Sequence, residues 1–116
     1  MADPPPAPAG VRGAGLDLWN RLHAALDFTM TEQQIAVELC RTVSLCELLA
    51  AELEAAGPLT AGQRGIRVNP IAAELRQQRL VAARLTASLN IPTQPDTGQH
   101  SGRRGGVRGV YGLRAD

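Results

Sequence analysis

The chain contains no lysine: all twelve of its basic residues are arginine. A Walker A loop needs a lysine to reach the outer phosphates of a nucleotide, so nothing in this sequence reads as an ATP-binding loop. Arginine alone, with abundant Ala, Gly and Pro, is the composition of a GC-rich coding sequence. Long apolar runs are also missing. None approaches the roughly 18 residues needed to cross a bilayer, and the opening Asp3-Pro4-Pro5-Pro6 lacks the apolar core of a signal peptide. A cytoplasmic protein with no membrane partner is expected. Histidine is scarce: His23 and His100 lie far apart with no acidic or thiol partner at ligand spacing, so no metal site is expected. Ser44 and Ser88 lack a Gly-x-Ser-x-Gly setting. With no catalytic constellation and no cofactor motif, the chain is not expected to be an enzyme. Cys40 and Cys46 fall six residues apart on one predicted helix, about 9 Å along its axis, too far for a disulfide. They read as buried thiols acting as small hydrophobes.

What is present is an all-α pattern: a long helical hairpin with a short N-terminal helix, a small loop or β-turn between the long helices, and disordered termini. Residues 1–15 are Pro-, Ala- and Gly-rich without periodicity and read as a disordered arm. Residues 16–92 form the helical domain, and residues 93–116 an Arg/Gly-rich disordered tail. The first helix is predicted from Leu16 to Asp27, with Leu18, Trp19, Leu22, Ala25 and Leu26 on a common face. The second begins at Thr31 as N-cap, with Gln34 completing a capping box and Met30 and Ile35 as a hydrophobic staple. Ile35, Leu39, Val43, Cys46, Leu49 and Leu53 give it one apolar stripe over five turns. Gly57 and Pro58 end it. Gly62 and Gly65 punctuate a loop in which Ile66-Arg67-Val68 alternates like a strand. Asn69 caps the third helix, and Pro70 takes its first position, where a missing N–H costs nothing. Ile71, Leu75, Gln78, Ala82, Leu85 and Leu89 form its stripe before Asn90 and Pro92 stop it.

Charge divides the domain. From Leu16 to Gly57 seven acids face two arginines, net −5; from Pro58 to Pro92 five arginines face Glu74, net +4. Halves of opposite sign suit packing within or between subunits, and leave a basic surface if the third helix is exposed. A domain of some 75 residues is marginal alone. Val37, Leu45 and Leu48 lie off the stripe of the second helix, so a self-interface is expected there, with Arg64 and Arg67 in the loop as further candidates. Candidate DNA contacts are Arg12, Arg21 and the tail residues Arg103, Arg104, Arg108 and Arg114, whose guanidinium groups can neutralise phosphates without reading sequence.

The helix closed by Gly57-Pro58, the Gly-containing loop and the Asn69-Pro70 helix start ending at Asn90-Ile91-Pro92 resemble a compact family of small terminase subunits of tailed double-stranded DNA bacteriophages. That resemblance covers about half the chain. It implies a ring-like homo-oligomer in the bacterial host cytoplasm that engages double-stranded viral DNA and recruits the large terminase subunit, which holds the ATPase and nuclease. The chain departs from larger family members in having no helix-turn-helix before the hairpin, which points to charge-based rather than sequence-specific DNA binding. Two other readings remain open: a small helical-hairpin adaptor or regulator, and an Arg/Gly-tailed nucleic-acid-binding protein.

Overall fold

A computed structural model describes residues 3–90. Three helices and one antiparallel ribbon follow in order: α1 (Gly13–Ala25), α2 (Met30–Ala56), β1 (Leu59–Gly62), β2 (Gly65–Val68) and α3 (Pro70–Leu89). The fold is therefore mostly helical, and the expected loop or β-turn between the long helices is a paired two-stranded sheet. Leu59 faces Val68, Thr60 faces Arg67, Ala61 faces Ile66 and Gly62 faces Gly65.

The long helices start and stop for local reasons. Thr29, not Thr31, caps α2: its hydroxyl accepts from the Glu32 N–H at 3.2 Å, while its own N–H donates to Glu32 Oε1 at 2.9 Å. The two candidate boxes differ in the reciprocal partner. Glu32 brings an ionised acceptor to the positive end of the helix, which the amide of Gln34 cannot match. At the far end Gly57 takes φ +88°, beyond the reach of most L-residues. Asn69 caps α3 as expected, and Asn90 ends it in the left-handed conformation at φ 56° and ψ 44°.

The core lies toward one end of the molecule. Trp19, Leu22, Ala36, Leu39, Cys40 and Leu89 are buried together, and Leu18, Phe28, Val43 and Leu85 pack around them. The stripes expected on α2 and α3 do face inward: Leu39, Leu75 and Leu89 are buried and their stripe neighbours half-buried. Val37, expected at a self-interface, is half-buried and packs against the core cluster.

The start of α1 departs further. The helix begins three residues before Leu16, at Gly13, and ends at Ala25 rather than Asp27. Gly13-Ala14-Gly15 offers no apolar stripe, but it lets α1 and α2 meet almost backbone to backbone. A side chain at buried Gly15 would overlap Ser44 Oγ and the Cys40 carbonyl. The first N–H groups of α1 are satisfied from α2 instead of by a local cap. Ala14 N–H donates to Glu47 Oε1 at 2.9 Å, and Arg12 N–H donates to Ser44 Oγ at 3.0 Å.

Residues 3–12, expected to be a disordered arm, lie against the helices. The Trp19 indole N–H donates to the Pro5 carbonyl at 2.9 Å, and Arg41 Nε donates to the Ala9 carbonyl at 2.9 Å. Ala7 and Val11 pack on the core, and the chain turns at Gly10 with φ +88°. A proline-rich segment has little conformational freedom to lose and leaves its carbonyls unbonded, so a few donors suffice to hold it.

Candidate assembly and nucleic-acid surfaces

The fold sets two surfaces at some distance from the core. One is the outward side of α3 with the ribbon that precedes it. Arg76, Arg79 and Arg84 are exposed along an arc of roughly 140° on the helix, taking 100° per residue, with Leu80 between them at 48% exposure. Arg64 at the ribbon turn and Arg67 on β2 are exposed as well. These arginines form no ion pair among the described residues, where the only two pairs are Arg21–Asp17 at 3.6 Å and Arg41–Glu38 at 3.3 Å. Both pairs are exposed i,i+4 or i,i+3 contacts on single helices and contribute little to stability. The acids of α2 and the arginines of α3 therefore do not meet within the chain, although the two helices pack together.

The second surface is the outer side of α2. Leu45 and Leu48 are 40% and 48% exposed, as expected for a face turned away from the monomer core. Glu38 and Glu52 fall within about 20° of Leu45 around the helix and Arg41 within about 40°, so the border of this apolar patch is net acidic. Glu38 is engaged by Arg41; Glu52 has no ion pair among the described residues.

The expected DNA contacts are placed unevenly. Arg12 is exposed, and its backbone is tied to α2 twice, its N–H to Ser44 Oγ and its carbonyl from the Ser44 hydroxyl, both at 3.0 Å. Arg21 is exposed on α1 and shares its charge with Asp17. Arg103, Arg104, Arg108 and Arg114 lie outside the described residues, as do His100 and Tyr111. Arg76, Arg79 and Arg84 fall outside the apolar stripe of α3 and were not among the expected contacts. Their absence from the apolar face was the available signal.

The polar groups nearest the core are engaged in structure. His23 Nδ1 donates to the Trp19 carbonyl at 2.9 Å, and Nε2 lies 2.9 Å from Gln33 Oε1. The Trp19 carbonyl can only accept, so Nδ1 bears a proton in that contact. The ring centroid stands 4.1 Å from that of Trp19 and 5.2 Å from that of Phe28. Both cysteines are free thiols. Burial pushes Cys40 up to about 11, and it raises Cys46 as well, against the opposing effect of nearby Arg79. Neither has thiolate character at neutral pH. Among the described residues no three His, Cys, Asp or Glu side chains converge as metal ligands, and no helix is long and apolar enough to cross a membrane.

Comparison with protein-family models, with curated proteins and with solved structures found no match to this chain.

Proposed function

We propose that this protein is the small, non-catalytic subunit of a phage DNA-packaging terminase, a homo-oligomer in the bacterial host cytoplasm that holds double-stranded DNA by charge and brings it to the large ATPase-nuclease subunit. The observation that carries this reading is the row of exposed, unpaired arginines on α3, Arg76, Arg79 and Arg84. Three guanidinium groups on one helix suit a phosphate backbone, and they lead in sequence into the arginine-rich tail. The Gly57-Pro58 stop and the Asn69-Pro70 start, on which the family resemblance rests, are a helix end and a helix cap in the fold. No base-reading helix is assigned, so binding tolerant of sequence is the corresponding expectation.

The test is retention of duplex DNA by the full chain as a function of salt. Engagement of several arginines gives a slope of log affinity against log salt of about −0.9 per phosphate neutralised. Replacement of Arg76, Arg79 and Arg84 by Gln should flatten that slope by nearly three such increments, whereas truncation after Pro92 removes the tail's four. A slope near zero for the wild-type chain would remove the DNA reading. In that case the adaptor reading, for which Leu45 and Leu48 on the outside of α2 speak, would replace it.

A further inference from the structure

The ribbon is built inside out for a monomer. Residues facing each other across an antiparallel pair project to the same side, and side chains two apart along a strand do so too. The pairs Leu59–Val68 and Ala61–Ile66 therefore share one face, and Thr60–Arg67 and Gly62–Gly65 share the other. The apolar face is the one turned to solvent: Leu59, Ile66 and Val68 are 57%, 76% and 63% exposed. On the polar face Thr60 and Gly62 are half-buried, while Gly65 and Arg67 are exposed as the rest of β2 is. A two-stranded ribbon is at best marginal in water without an apolar face that packs on something. Here Asn69 ties its base, with its N–H to the Pro58 carbonyl at 2.8 Å and its side-chain Nδ2 to the Gly57 carbonyl at 3.0 Å. The ribbon is thus held out from the helices with its apolar side uncovered.

We infer that this face docks on the outer side of α2 of a second copy of the chain, with Leu59, Ile66 and Val68 against Leu45 and Leu48. Three features choose that occupant. Apart from Met30 at its first position, the α2 patch is the large apolar surface left exposed on the longest helix, on the side opposite Ala36 and Val43. Its border is net acidic, with Glu52 unpaired, while the ribbon carries Arg64 at its turn, likewise unpaired; Arg67 projects from the opposite, polar face. The charges complement each other at the scale of whole elements: α2 has five glutamates against Arg41, and residues 57–90 have five arginines against Glu74. No glutamate of α2 pairs with an arginine of residues 57–90 within one chain. The two faces are different surfaces of the same molecule, so the contact is head-to-tail and each copy offers one of each. The inference deepens the assembly half of the proposed function and is independent of DNA.

The test uses full-length Ile66→Glu, which blocks the ribbon face, and Leu45→Glu, which blocks the α2 face. Both sites are exposed, and helical circular dichroism verifies that each variant is folded; Val68→Glu and Leu48→Glu replace either one that is not. Light scattering at micromolar concentration should show the wild-type chain as an oligomer and each variant alone as a monomer. Mixed in equal amounts, the two variants retain one intact ribbon face and one intact α2 face between them. They should form a heterodimer and stop there. A monomeric wild-type chain would overturn this docking and the assembly reading together. A wild-type oligomer that survives Ile66→Glu, or two monomeric variants that fail to pair on mixing, would overturn the docking alone.

Discussion

Replacing Asn69 should uncouple three elements at once, because its side chain sits where α2, the ribbon and α3 meet. The residue is only 3% exposed. Oδ1 accepts from the Ile71 N–H at 3.0 Å, and Nδ2 donates to the Gly57 carbonyl at 3.0 Å. Asn69→Ala removes the cap, worth about 1 kcal/mol. It also removes the second hydrogen bond, worth about another 1 kcal/mol at a partly buried site. The expected loss is about 2 kcal/mol, or roughly 8–16 °C in midpoint for a domain of this size. Asn69→Asp separates the two parts: it keeps the acceptor, adds a charge the helix start favours, and loses the donor to Gly57. Its cost should fall between wild type and Ala. Pro70→Ala, at a position whose N–H is not needed, should change stability by less than about 0.5 kcal/mol. Urea denaturation at one fixed protein concentration measures the series, since self-association would otherwise shift the apparent stability. If Asn69→Ala unfolds within about 0.5 kcal/mol of wild type, or Asp is as damaging as Ala, this division of roles is wrong.

Gly15→Ala forces a methyl group into Ser44 Oγ and the Cys40 carbonyl, and should cost about 1–3 kcal/mol as α1 lifts from α2; unchanged emission from Trp19, the single tryptophan, and an unchanged melt would refute the close approach. Trp19→Phe keeps a smaller aromatic ring in the core and deletes the bond to Pro5, so amide exchange at Val11 should accelerate more than in the middle of α2. Equal exchange in both proteins would mean that the indole does not hold the arm. Cys40 is raised from its ordinary 9.0 to about 11 by burial, so the folded state keeps a proton that the unfolded chain gives up. Its contribution to stability is complete below pH 9 and declines as pH rises from about 9 toward 11, a decline that Cys40→Ala should flatten in urea titrations at stepped pH.

The long helices were legible because their determinants are local. Apolar spacing, Gly57, the Asn69-Pro70 start and Asn90 each act within a turn of their own position, so α3 runs from Pro70 to Leu89 as the residues alone imply. Cap choice at α2 was a near tie between two threonines, and the ionised Glu32 decided it. What the sequence could not disclose depends on residues far apart in the chain. The start of α1 has no stripe or cap of its own and is made by Glu47 and Ser44, more than thirty positions away. The arm looks disordered by composition, yet Trp19 and Arg41 supply donors for its free carbonyls. Val37 packs on the core, whereas Leu45 and Leu48 remain outside. The alternation of Ile66-Arg67-Val68 announces a strand but not which side faces out. That side was set by the way Asn69 fastens the ribbon to the ends of two helices, a constraint that exists only after they have packed.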